Sequence, residues 1–332
     1  MEGNVVLPFI PTNQRRTLDE LDELDERLDL TSGDHLSKRS AFWLMLVLSS
    51  VIAAAGVCSD STATVIGAMI VAPLSTPILA VGLATVTGRS HLLRSSVFHL
   101  VLGIVVVIAV GFLFAQVLPN PTSVLDNSQV RGRTSPTLMD LLAALATGLV
   151  GAIAITRRDV GDVLPGVAIA ISLVPPLAVT GVCLGSGEPA LGLGALVLFA
   201  SNVVAMIITA TVVLVVAGYR PSTARRDRRH RRAYVLLGVA LCVVAVPMVG
   251  NSLTTLWAAQ ITTATENWLR ESPRNDVTSV TWQGGTATIA VFGPEALPPM
   301  EDLRKSVADL LPFTPELEVV HDFGVTVSTD DG

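Results

Sequence analysis

The chain has 332 residues, half of them hydrophobic and 15% charged, with a net charge of −6 and a mean hydropathy of +0.60. A soluble domain usually carries about a quarter charged residues, so the composition excludes an ordinary soluble protein and points to a polytopic membrane protein. The charges gather in the two ends and a few short loops, so the net value says little about partners.

Residues 1–37 are polar and acidic and lack a signal-peptide pattern, and they read as a cytoplasmic N-terminal segment. Within it Leu18, Leu21, Leu24 and Leu28 fall three to four apart, which predicts a short acidic amphipathic helix for packing or assembly. A regulatory switch is the alternative there.

A helix needs about 20 apolar residues to cross the hydrocarbon core. Seven runs approach or exceed that length: 40–57, 62–87, 92–118, 137–156, 160–184, 190–218 and 233–256. Cys58, Cys183 and Cys242 lie in or at the ends of these runs without CxxC spacing and read as small buried hydrophobes. A Cys58–Cys183 bridge would require those helix ends to meet.

Orientation follows from Lys and Arg in the short loops. With the N-terminus inside, Lys38, Arg39, Arg89, Arg94, Arg157, Arg158 and the block Arg225–Arg232 are cytoplasmic, and the outer loops hold only Arg131 and Arg133. The basic block directly follows a span and has no interleaved aromatics, so it reads as a topology anchor with affinity for anionic lipid, not as a nucleic-acid site.

From about 259 to 329 the pattern changes to α-β-β-α-β: a helix over 261–270, strands over 277–282 and 286–292 around Gln283-Gly-Gly285, a helix over 299–311 and a strand over 317–327. This predicts a small α+β domain outside the cytoplasm.

Two segments share a motif at a fixed offset of 99 residues. Gly67, Leu74, Pro77 and Gly82 in the second run fall on Gly166, Leu173, Pro176 and Gly181 in the fifth, and Asp60 falls on Asp159. Proline cannot donate a backbone hydrogen bond, and its ring clashes with the carbonyl four residues earlier. Pro77 and Pro176 are therefore expected to break their helices, with Pro73 and Pro175 adding further breaks. Three spans lie in each half, so the halves run in opposite directions. Paired broken helices in inverted halves mark the binding site of many transporters.

Freed backbone groups must face protein or a water-filled cavity. Ser75, Thr76 and Ser172 lie beside the breaks, and Asn202 is a polar residue in the middle of the sixth run. These residues, with Pro77, Pro175 and Pro176, are the candidate pathway. Asp60 and Asp159 either cap the motif helices or gate and couple ions. Asn202 either lines the pathway or ties helices together, and His99, nearer the membrane edge, has the same two readings. No span carries Lys, Arg, Asp or Glu near its centre, which disfavours a proton relay through buried carboxylates. There is no GxSxG, HExxH, GxGxxG or Walker loop in a suitable context, and the five histidines are scattered. No enzyme activity, cofactor or metal is expected.

The first span running into Ser50-Val-Ile-Ala-Ala-Ala-Gly56, then Val65-Ile-Gly-Ala-Met-Ile-Val-Ala-Pro-Leu74 and Ile171-Ser-Leu-Val-Pro-Pro176, resembles a bacterial family of hydrophobic-domain membrane proteins, domain of unknown function 389. The resemblance covers about residues 40–218. It implies a polytopic membrane fold with no established activity, so it carries over no functional residue.

The expected fold class is an all-α polytopic membrane protein of about seven transmembrane helices, with a 3+3 inverted repeat, two proline-broken helices and a small α+β C-terminal domain. Its parts are the N-terminal segment (1–37), repeat one (38–136), repeat two (137–218), a basic loop (219–232), the seventh helix (233–258) and the terminal domain (259–332). The expected function is a transporter or channel for a small ion or solute in the bacterial inner membrane. The expected partners are the lipid bilayer, the solute and further copies of the chain, without nucleic acid. The alternative is a non-transporting sensor or scaffold whose terminal domain binds a ligand or partner.

Overall fold

In the computed structural model, which describes residues 25–26, 28–117, 126–156, 173–218, 227–283 and 286–323, the first apolar run is helix α1 (His35–Cys58). Asp34 caps it, its carboxylate accepting from Ser37 N. The second run is two helices, α2 (Thr62–Val71) and α3 (Ser75–Thr87), meeting at 48°.

The cause of this break differs from expectation. Ala72 is extended (φ −69°, ψ 124°) because it precedes Pro73, and a residue before proline is excluded from the helical region. Pro77 is the third residue of α3. A missing N–H is harmless in a first turn, so Pro77 starts the half-helix instead of interrupting one. Gly88 ends α3 in the left-handed region (φ 70°), its N–H bonding Ala84 O at 2.8 Å.

The chain continues through α4 (Ser90–Val117), a seven-residue helix α5 (Ser128–Thr134), α6 (Leu138–Thr156), α7 (Val174–Gly185) and α8 (Pro189–Val216). Helix α5 lies inside the expected 118–137 loop, at 87° to α6. The predicted fifth span, 160–184, is described only from residue 173 and there forms the 12-residue α7. The seventh run is longer than expected: α9 is one helix, Asp227–Trp268, which absorbs the separate helix expected at 261–270. Among the described residues, α1, α4, α8 and α9 are each long and apolar enough to cross a membrane. The bent pairs α2–α3 and α5–α6 bring the number to six if each is one span.

The chain divides into two units, 1–248 and 249–332. In the first, α8 is central, packing against α3, α5, α6 and α7, while α4 packs against α1, α3 and α7. Leu46, Leu74, Ile78, Leu83, Leu173, Leu177 and Leu214 are fully buried. Several buried hydroxyls return their hydrogen bonds to their own helices, as Ser50 does to Leu46 O at 2.6 Å, so they cost the core little.

Outward-facing positions are also apolar. On α4, Phe98 is 62% and Val105 56% exposed, and on α9 Val243 is 66% exposed. Apolar surface this extensive is incompatible with water and natural in lipid. The protein is membrane-embedded.

Most of the predicted N-terminal amphipathic helix lies outside the described residues. Its end packs onto the first unit, with Leu30 buried and Asp25 paired to Arg89. Burial pushes the Asp29 carboxyl up, but bonds from Thr31 and Ser95 and the charge of His91 outweigh it, so the carboxyl sits below its ordinary range. Cys58 and Cys183 belong to one apolar cluster, unbonded.

In the second unit, β1 (Asp276–Gln283), β2 (Thr286–Phe292), α10 (Met300–Leu310) and β3 (Glu316–Asp322) form a three-stranded sheet in the order β1-β2-β3 with a crossover helix. β1 and β2 are antiparallel and β2 and β3 parallel. Ala287, Ile289 and Val291 alternate inward on β2 and meet Leu303 and Val307 of α10 and Ile261, Ala264 and Trp268 of α9. The turn glycines Gly284 and Gly285 and the end of the predicted last strand lie outside the described residues.

Candidate functional site

The two half-helices begin at matching residues. Leu74 and Leu173 are the N-caps of α3 and α7, so Pro77 and Pro176 are each the third residue of their helix. Both starts are buried in one core cluster, where Leu74, Ile78, Leu173 and Val174 are wholly enclosed. In α7, Pro175 and Pro176 occupy the second and third positions, so only Val174 offers an amide among the first three residues. Proline therefore removes donors that a buried helix end would otherwise leave unsatisfied.

Beside the α7 start is a cavity of about 240 Å³, lined by Pro176 of α7, Asn202 and Leu198 of α8, Met69 of α2, Arg133 of α5 and Asp140 of α6. Of the predicted pathway residues, it gathers Pro176 and Asn202. Pro175 is buried in the same turn, while Ser75, Thr76 and Pro77 do not line the cavity. Ser172 and Asp159 lie outside the described residues. Asn202 is 4% exposed and hydrogen-bonded, so it is committed to the packed interior as well as to the cavity wall.

Arg133 and Asp140 are the residues that sequence reasoning missed. Arg133 Nη1 donates to Gln129 O at 2.9 Å and Gln129 Oε1 at 3.0 Å, which folds the guanidinium back along α5. Asp140 Oδ2 accepts from Thr137 N at 2.7 Å and Thr137 Oγ1 at 2.8 Å, closing the first turn of α6. The two line one cavity without forming an ion pair, so each keeps capacity for a guest. A signal was present in the sequence. Arg131 and Arg133 are the basic residues of the loops expected to lie outside, and a charge that departs from the expected pattern needs another reason.

Helix α5 is tethered to the α1–α2 turn. Asn127 Nδ2 donates to Val57 O at 2.7 Å while its Oδ1 accepts from Val130 N at 3.0 Å. Asp60 Oδ1 accepts from Ser128 Oγ at 2.7 Å and Gln129 N at 3.1 Å. Of the two roles expected for Asp60, capping its own motif helix falls to Ser61, which accepts from Thr64 N at 3.4 Å. Asp60 instead serves the start of α5, and it adopts φ 51°, a left-handed turn conformation open to Asp.

The bond from Ser128, with those from Gln129, holds the Asp60 carboxyl below the usual carboxylate range. A depressed folded value means the contribution is complete above the unfolded value, near pH 4, and is lost as pH falls through the lower folded value. Hydrogen-exchange protection of the α5 amides, corrected for intrinsic rates, should persist from pH 7 to about 4 and decline only below that. Asp60→Asn should flatten the profile.

The family model for the domain of unknown function DUF389 matches residues 69–208, a stretch running from α2 to α8. The chain is also 31% identical over 247 residues to the uncharacterized protein MJ0678 of Methanocaldococcus jannaschii, covering 72% of this chain and 75% of that protein. No solved structure matches. With the paired half-helices and the motif residues in the matched stretch, the chain belongs to the DUF389 family.

Proposed function

We propose that the protein is a transporter or channel for a small ion or polar solute, whose pathway passes the cavity at Pro176 and Asn202. The observation that carries this reading is the pair of half-helices starting at matched residues within one core, one of them opening on a cavity with Arg133 and Asp140 in its wall. Irregular backbone in mid-membrane is tolerated where it lines such a cavity, and paired half-helices supply transporter sites. The 3+3 inverted repeat, an N-terminus on the cytoplasmic face of the plasma membrane and a homo-oligomer belong to the same proposal.

The test is flux from purified full-length protein in liposomes, across monovalent cations, small anions and neutral solutes. A selective, saturable flux is expected. Asn202→Leu should lower it about tenfold or more, the scale of one lost interhelical or solute hydrogen bond near 1.4 kcal/mol. Arg133→Gln should shift the preference between cations and anions. Silence from folded protein, or flux indifferent to both changes, would overturn the reading and favour the sensor.

A further inference from the structure

A second cavity, of about 400 Å³, lies in the first unit between the starts of α1 and α4 and shares no residue with the first. Its mouth carries Arg39, Arg94 and His91, and its wall continues through Trp43, Phe98 and Leu102. Among the described residues, no carboxylate lines it.

Helical spacing explains the gradient. Arg39 and Trp43 are one turn apart on α1, and Arg94, Phe98 and Leu102 follow one another at single turns on α4. Both helices run from their charged start into apolar sequence, so the cationic groups sit together and the apolar groups lie together beyond them. Phe98 is 62% and Leu102 38% exposed, so the apolar end opens onto the lipid-facing surface.

The cations are not spent internally. Arg39 uses Nε on Leu30 O at 3.2 Å, which leaves its two terminal nitrogens without a described partner. Arg94 is exposed and makes no ion pair or hydrogen bond with a described residue. Among the described residues, Asp29 lies 3.5 Å from His91. It is 6% exposed and already accepts from Thr31 N at 2.9 Å, Thr31 Oγ1 at 2.6 Å and Ser95 Oγ at 3.2 Å. That leaves two guanidinium groups facing the mouth.

We infer that this cavity binds an anionic phospholipid, with the headgroup phosphate between Arg39 and Arg94 and an acyl chain along Phe98 and Leu102. Guanidinium recognises phosphate in paired, charge-assisted hydrogen bonds. Basic pockets between membrane helices are suited to such headgroups. A free phosphate would satisfy the arginines but leave the exposed Phe98 and Leu102 unused, and that favours the lipid.

The experiment is native mass spectrometry of the full-length protein in detergent, titrated in separate arms with phosphatidylglycerol, phosphatidylcholine of the same chains, and inorganic phosphate. Saturable retention of phosphatidylglycerol is expected, about tenfold above phosphatidylcholine, with no stable inorganic phosphate adduct. Arg94→Gln should remove most of this preference. Arg94 is exposed, so that variant keeps the fold, and an unchanged melting temperature without lipid will verify it. Phe98→Ala should weaken retention of both lipids without restoring equality between them. Equal retention of the two lipids by the natural protein, or a preference unchanged by Arg94→Gln, overturns the inference. Phosphate binding as tight as that of the lipid overturns the assignment to lipid. Flux plays no part in these readouts, so failure here leaves the proposed pathway untouched, and the converse.

Discussion

Gly181→Val should cost about 3 kcal/mol or more, the upper end for overpacking where the neighbour cannot move, and should leave little folded protein in detergent. Helices α4 and α7 cross at this glycine. A Cβ on Gly181 would strike Ile108 O and lie 2.9 Å from Gly111 Cα and from Phe112 N. From the other side, a Cβ on Gly111 would lie 2.6 Å from Ala178 O. Gly185, one turn on, faces Phe112 O and Ala115 in the same way. The obstruction is backbone on both helices, so no rotamer change relieves it. Lipid tails offer no hydrophobic drive for helix association, and close backbone contact supplies it instead. A fluorescence-monitored melt of Gly181→Val beside Gly67→Ala checks this. No neighbour lies within 4 Å of a Cβ at Gly67, so that change should be nearly silent, and equal melts would refute the crossing as the source of stability.

Asn127→Ala should destabilise the docking of α5 by about 1–2 kcal/mol, from a lost N-cap and one lost long-range hydrogen bond. Asn127 is 5% exposed and bonds both ways, to Val57 O and from Val130 N. Val57 O, at the end of α1, also accepts from Asp60 N at 3.1 Å, so the substitution removes one of its bonds and leaves the backbone one. Limited proteolysis at Arg131 and Arg133 reads the effect, since a docked helix resists trypsin and a released one is cut. Cleavage should accelerate about tenfold if opening governs it, since 1.4 kcal/mol is a factor of ten. An unchanged rate would mean that Asp60 and the packing of Val130 suffice.

The long apolar helices were legible because length and hydropathy fix them locally. The paired motif was legible too, since the offset of 99 places Leu74 on Leu173 and Pro77 on Pro176, and both pairs hold matching positions in α3 and α7. The sequence misled on which proline matters. A proline's effect depends on where the first turn begins, and Pro73, through Ala72, is what ends α2. Helix α5 was hidden because Ser-Gln-Val-Arg-Gly-Arg-Thr is short and polar, and long-range bonds to Asp60 and Val57 hold it. Arg133 and Asp140 escaped notice for the same reason. They reach one cavity only after α5 turns 87° into α6.

The double proline at the start of α7 also limits how firmly that end can hold a guest. An ordinary helix start presents several free amides, enough to trap an anion. Here Val174 N is the one donor among the first three residues, and the prolines spare the membrane the dehydration of two more. On the proposed pathway, a surface with so few hooks gives a short dwell time, which suits conduction, since conduction needs sites that release what they admit.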